Sequence, residues 1–182
     1  MIIHISGFPG SGKTTLGKKL HSMMRNIVVH DTDEFIQHHT KEGKQLLKLA
    51  ADQKFKEYRI LWKATLESKI SEFVAAHPNR IIVFVGSLDN FSWSTPYNIK
   101  ANYKFMLDVP MNELMKRYYL RISHKPSKEY WDKLAKGTYR ISGSEDIIKS
   151  SASYNKWHRE HGYSAMTDMQ IIKAIKKIAS VD

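Results

Sequence analysis

The stretch Gly7-Phe8-Pro9-Gly10-Ser11-Gly12-Lys13-Thr14 constrains this chain more than any other, because it fills every position of the phosphate-cradling pattern G-x-x-x-x-G-K-[ST]. That pattern requires a strand that runs into a glycine-rich loop and then into a helix. The flanks supply both. Ile2, Ile3 and Ile5 form a short apolar run of β-branched residues before the loop, and Leu16, Leu20 and Met24 recur at helical spacing after it. The glycines let successive N–H groups turn inward toward phosphate oxygens, and the helix presents its positive end to the same anion. Lys13 then reaches the β- and γ-phosphates of a nucleoside triphosphate, and Thr14 offers its hydroxyl to the Mg²⁺ that bridges them. Gly7, Pro9, Gly10, Ser11, Gly12, Lys13, Thr14 and Thr15 are therefore the expected nucleotide-binding residues.

The remaining elements follow in βα alternation. Ile27-Val28-Val29-His30 reads as a second strand ending at Asp31-Thr32-Asp33, and a short helix is expected from Glu34 to His39. Gly43 reads as a break. After it, Leu47, Ala51, Phe55, Tyr58, Trp62, Leu66, Ile70 and Phe73 form an apolar stripe of one or two amphipathic helices that stop before Pro78. Arg80 to Val85 is a continuous apolar run of the kind a buried parallel strand shows, closed by Gly86. A loop with Phe91, Trp93 and Tyr97 leads to a fourth strand over 103–109, and Pro110 suits the first turn of a helix through Arg121. Residues 122–143 have weak periodicity and several lysines. Glu145 to His161 returns to helical spacing with Gly162 as its C-cap, Tyr163 to Met166 is a short fifth strand, and Thr167-x-x-Gln170 has the form of a capping box. Strands alternating with helices imply a parallel sheet covered on both faces.

A chain of 182 residues suffices for one domain with a sizeable core. It has no cysteine, which excludes disulfides and thiolate metal sites and fits a reducing compartment. With no apolar run of membrane-spanning length, the expectation is a soluble cytoplasmic protein. The formal net charge of +11 suits a polyanionic ligand and leaves a nucleic acid partner open. Oligomeric state is not legible. The histidines His30, His38, His39, His158 and His161 lack the spacing of a closed metal site, and Trp62, Trp131 and Trp157 read as core.

The Pro9-Gly10-x-Gly12-Lys13 loop resembles that of nucleoside monophosphate kinases and their shikimate-type, gluconate-type and polynucleotide 5′-kinase relatives. A second passage, Leu107-Asp108-Val109-Pro110-x-x-x-Leu114-x-x-Arg117-x-x-x-Arg121, is similar to the one preceding the lid in that family. The resemblance implies a three-layer α/β P-loop NTPase core with a five-stranded parallel sheet ordered 2-3-1-4-5. It divides the chain into a core (1–33, 78–121 and 144–182), a helical acceptor-binding insert (34–77) and a lid (122–143). By the same resemblance Arg117 lies against the base, Arg121 contacts the transferring phosphoryl group, and Arg140 is the best arginine of the lid, ahead of Lys136 and Arg159.

The D-x-D of Asp31 and Asp33 resembles shikimate-type and some polynucleotide kinases. Alternate residues of an extended segment point the same way, so both carboxylates can face one site; by the resemblance Asp31 would support the metal beside Thr14 and Asp33 would take a proton from an acceptor hydroxyl. The competing structural use is that Asp31 ends a strand and Asp33 caps the next helix. Where phosphate-accepting members carry D-G-x-P-R after the third strand, this chain has Val85-Gly86-Ser87-Leu88-Asp89-Asn90, which counts against a nucleotide phosphate as acceptor. The expected activity is ATP- and Mg²⁺-dependent phosphoryl transfer to a small acceptor, a hydroxyl of a nucleoside, nucleotide or related metabolite. Lys13, Asp33, Arg117, Arg121 and Arg140 would carry it. The alternatives are a kinase for a hydroxyl of DNA or RNA, and a nucleotide-dependent switch without a transferred product.

Overall fold

The computed structural model describes residues 1–37, 39–87, 98–122 and 144–180, with the backbone alone described for 118–122 and 144–150. Its five strands are β1 (Ile2–Ser6), β2 (Ile27–Asp31), β3 (Ile81–Val85), β4 (Tyr103–Leu107) and β5 (Ser164–Met166). All pair in parallel in the order β2-β3-β1-β4-β5, as the resemblance implied. The helices are α1 (Lys13–Met23), α2 (Lys41–Ala51), α3 (Phe55–Ala75), α4 (Met111–Ile122), α5 (Ser144–Glu160) and α6 (Asp168–Ala179).

Side-chain alternation along the strands assigns each face its helices. Ile3, Ile5, Val83, Val85, Phe105 and Leu107 share one core with Leu16 and Leu20 of α1 and with Ile171, Ile172 and Ile175 of α6. The intervening residues Ile82 and Phe84 face the other way, onto Leu66 and Ile70 of α3 and onto Ile99. Both faces are thus covered, which is why β3 is buried at every position and reads as an unbroken apolar run. Each fully buried Ile or Leu contributes on the order of 1.5–3 kcal/mol from area removed from water. A third cluster, Phe8 with Leu114 and Tyr154, ties the loop after β1 to α4 and α5.

The segment between β2 and β3 differs from expectation in two places. Gly43 does not break the chain. It sits buried in the first turn of α2, where its N–H donates to Oγ1 of the N-cap Thr40 at 3.1 Å. Capping by Thr40 outweighs the helix penalty of one glycine. The break falls instead at residues 52–54, where Gln53 adopts a left-handed φ of 56° and separates α2 from α3. Instead of the short helix expected from Glu34, the chain forms a single 3-10 turn, Thr32–Glu34, capped by Asp31, and residues 35–37 carry no helix. Leu47, part of the apolar stripe, points outward and is 48% exposed. At the other end of the chain the capping box forms as its sequence foretold: Thr167 Oγ1 accepts from Gln170 N, and the Gln170 side chain accepts from Thr167 N.

Candidate active site

The loop between β1 and α1 is shaped by two left-handed glycines, Gly10 (φ 83°) and Gly12 (φ 98°), conformations a side chain with a Cβ rarely adopts. Gly12 is the N-cap of α1, whose first-turn N–H groups have no side-chain cap, so the helix start presents bare donors to an anion. Lys13 Nζ donates to the carbonyl oxygens of Gly7 (2.7 Å) and Phe8 (3.3 Å), which folds its ammonium over the loop. From α4, Arg117 donates through Nη1 to Ser11 O at 3.0 Å and through Nε to Glu113 Oε1 at 2.9 Å. Glu113 therefore aims the guanidinium at the loop, and the same nitrogen lies 3.4 Å from where a Cβ on Gly12 would stand. Beside them opens a cavity of about 770 Å³ bounded by Gly12, Thr15, Pro110, Arg117, Thr167 and Asp168, a volume in the range of nucleotide-sized ligand sites.

A second constellation joins the end of β2 to α1. Thr14 Oγ1 donates to Asp31 Oδ2 at 2.8 Å, while Asp31 Oδ1 accepts from the backbone N–H of Asp33 at 3.1 Å. Asp31, rather than Asp33, is thus the cap of the 3-10 turn, and the Asp33 carboxylate lies on the exposed side of the turn. A smaller cavity of about 270 Å³ adjoins them, lined by Thr14, Lys18, His21, Asp31 and Glu34. Next to it, Gly86 at the end of β3 has a φ of 148°, and the space its Cβ would occupy is filled by the buried Thr32 hydroxyl. Among the described residues no group of three or more His, Cys, Asp or Glu is arranged to hold a metal ion by itself. The hard oxygens beside Lys13 are those of Thr14 and Asp31, a small set that suits Mg²⁺, which keeps most of its shell as water and phosphate oxygen.

The sequence reading missed a third feature, a chain of buried polar side chains under the loop. His158 Nδ1 lies 2.8 Å from Tyr154 O and its Nε2 lies 2.8 Å from Ser6 Oγ, which in turn lies 2.6 Å from Tyr154 Oη. Beside it, His4 Nδ1 lies 2.6 Å from Tyr163 Oη, and His4 Nε2 lies 3.2 Å from Gly86 O. Burial pushes His4 down to about 3 and His158 down to about 4, so both imidazoles are neutral at pH 7. A signal was present: His4 and Ser6 are polar at alternate positions of a strand that is otherwise apolar, and Tyr154 and His158 stand one helical turn apart.

Of the remaining expected site residues, Arg121 lies on α4 with only its backbone described. Arg140, Lys136, Asp89, Phe91, Trp93 and all of the expected lid (122–143) after residue 122 lie outside the described residues, as do Trp131 and His38, which are not among the expected site residues. Arg159 is exposed at the end of α5. His30 packs between the rings of Phe35 and Phe73, at centroid distances of 4.3 and 4.5 Å, and Trp157 stacks on His161 at 3.9 Å.

Residues 3–143, from β1 through α4 and the segment that follows it, match the sequence profile of the family described as AAA domain. The chain belongs to that family. Among curated proteins, this AAA-domain chain is 25% identical over 173 residues to a shikimate kinase of Clostridium botulinum (strain ATCC 19397 / Type A), with 85% of this chain and 96% of that one covered. It is 27% identical over 176 residues, at the same coverage, to the shikimate kinase of the Okra / Type B1 strain. Among solved structures, the shikimate kinase of Bacteroides thetaiotaomicron superposes with a TM-score of 0.60 at 18% identity, covering 99% of this chain and 98% of that one. The shikimate kinase of Acinetobacter baumannii in complex with shikimate gives 0.52 at 13%, covering 99% and 93%. These similarities, together with the loop, identify the AAA-domain chain as an ATP-dependent P-loop kinase of the nucleoside monophosphate kinase-like kind, acting on a small molecule. Among the described residues no helix is long and apolar enough to cross a membrane.

Proposed function

We propose that this kinase transfers the γ-phosphoryl group of ATP to a hydroxyl of a small metabolite, such as a nucleoside, a nucleotide or a related polyhydroxylated compound. The observation that carries this reading is the pair of carboxylates at the carboxyl end of β2. Asp31 accepts from Thr14 Oγ1 and from the Asp33 N–H, and Asp33 follows two residues later on the exposed 3-10 turn. A phosphate acceptor is already an anion and gains nothing from a nearby carboxylate. An alcohol does gain, because its proton must leave as the new bond forms. The acceptor oxygen bonds to the γ-phosphorus, the bond from that phosphorus to the β,γ-bridging oxygen breaks, and the proton passes to Asp33. Lys13, Arg117, Arg121 and Arg140 stabilise the charge on the transferring group, and Thr14 and Asp31 would hold Mg²⁺, which neutralises the phosphates when bound. That the curated relatives are kinases of shikimate, a hydroxylated acid, supports an alcohol acceptor.

The test is a panel of hydroxylated metabolites, nucleosides, nucleoside monophosphates and 5′-hydroxyl oligonucleotides incubated with γ-labelled ATP and Mg²⁺. Acid-stable label on a small alcohol is the expected result. Transfer to a monophosphate would overturn the assignment of the acceptor group. Preferential transfer to the oligonucleotide would bring back the nucleic acid reading, and hydrolysis without any acceptor would favour a switch.

A further inference from the structure

The Gly7 peptide is held on both sides. Its carbonyl lies within 3.1 Å of Lys13 Nζ, Ser87 Oγ and Tyr154 Oη, and its N–H donates to Tyr154 Oη at 3.3 Å. Which of these hydroxyls donates follows from the far end of the chain. The Tyr154 carbonyl only accepts, so His158 Nδ1 carries a proton, and the neutral ring then has an accepting Nε2. Ser6 Oγ–H must donate to that nitrogen at 2.8 Å. Having spent its one proton, Ser6 accepts from Tyr154 O–H across the 2.6 Å contact. Tyr154 thereby turns lone pairs, and not its proton, toward Gly7, and the Gly7 carbonyl is left to Ser87 and Lys13.

We propose that Tyr154 is a positioning residue for nucleotide binding: the directed series His158–Ser6–Tyr154 orients the Gly7 peptide so that its N–H is anchored to α5 and its carbonyl stays open to Lys13. The loop lysine has to exchange that carbonyl for a phosphate oxygen, and Ser87 keeps the carbonyl satisfied when it leaves. The Tyr154 ring also meets Phe8 edge-on at 5.8 Å, so the tyrosine grips two successive residues of the loop. With Arg117 of α4 on the Ser11 carbonyl, the loop is held from two helices.

This inference rests on the loop's being the ATP site, and wild-type binding tests that part by itself. With the intact protein and a non-hydrolysable ATP analogue, wild type is expected to bind. If it does not, the nucleotide reading fails, whatever the variants do. Given binding, Tyr154→Phe keeps the ring against Phe8 and removes the hydroxyl. The affinity for the analogue is expected to fall about 10-fold, the KM of the acceptor to stay within about 2-fold, and the ¹H–¹⁵N resonance of the Gly7 amide to move upfield as its acceptor is lost. Ser6→Ala reads the same quantity should the tyrosine variant fold poorly. It deprives Tyr154 of its acceptor and turns the phenol proton onto the Gly7 carbonyl in competition with Lys13, which again weakens the analogue and shifts the Gly7 amide. A lowered Tm with unchanged analogue affinity and an unmoved Gly7 amide in either variant would make the network mere packing and overturn the proposal.

Discussion

Thr14 Oγ1 and Asp31 Oδ2 stand 2.8 Å apart, one on the first turn of α1 and the other on the last residue of β2. That single hydrogen bond joins two elements 17 residues apart at the mouth of the sheet, and it places a hydroxyl and a carboxylate side by side next to the lysine of the loop. In an open parallel sheet the carboxyl ends of the strands are where ligands bind. The pairing therefore ties the phosphate loop to the carboxyl end of β2, where Asp31 and Asp33 stand.

Lys13→Ala is expected to abolish phosphoryl transfer with little change in melting temperature. The side chain lies on the loop, donates to the Gly7 carbonyl that Ser87 also reaches, and is absent from the apolar clusters. Turnover assays beside thermal melts check this, and near wild-type turnover would remove the loop from the chemistry.

Asp33→Asn retains size and the backbone N–H that Asp31 caps, so the 3-10 turn should persist. Loss of the base should lower turnover about 10²-fold or more with an alcohol acceptor, while ATP affinity changes little. A rate within a few-fold of wild type, measured under saturating ATP, would relegate Asp33 to the surface.

Arg117→Lys keeps a positive charge but cannot bridge Glu113 and the Ser11 carbonyl in one planar fork. The KM for ATP is expected to rise by about 10-fold with the KM of the acceptor unchanged. Steady-state kinetics varying each substrate in turn separate the two, and a rise in the acceptor KM alone would show that Arg117 serves the other side of the site.

Acid should unfold this protein early, through His158 and His4. An unfolded chain protonates its histidines near the ordinary value of 6.5, whereas burial holds these two near 4 and 3 in the fold, with the nearby Lys13, Lys104 and His161 pushing the same way. Between those values unfolding takes up protons, so the stability present above pH 6.5 is lost progressively as pH falls toward 4 and then 3, by up to about 1.4 kcal/mol per pH unit for each histidine. His158→Asn should flatten the slope of melting temperature against pH between 6.5 and 4. An unchanged slope in that variant would place the acid sensitivity elsewhere.

The frame of this molecule was legible because its signals are local and periodic. The loop motif, the unbroken run Ile81–Val85 and the Thr167–Gln170 capping box each depend on residues close in sequence, and all three appear as read. The region between β2 and β3 was harder. Gly43 has a low helix propensity, yet a cap three residues earlier decides its state, and Gln53 carries no composition mark of the left-handed conformation that separates the helices. In the site, the loop and Asp31 were visible as motifs. The support beneath them left a polar signal in each element, but its pairing was not legible, since Ser6 lies 148 residues from Tyr154 and 152 from His158, and only the fold brings them together.

The placement of β1 has a consequence for how the chain reaches this state. Its two neighbours are β3 and β4, so Ile3 must find Val83 on one side and Tyr103 on the other before the strand is paired along both edges. Closing loops of that length is entropically slow, and a sheet built from such distant parallel pairings forms late. The phosphate loop therefore precedes in the chain both strands that flank β1, and it acquires its shape only after they have been made. Until about residue 85 has been made the apolar β1 has no neighbouring strand, and until about residue 107 it has only one, so this stretch of synthesis is a period of exposure to misassociation.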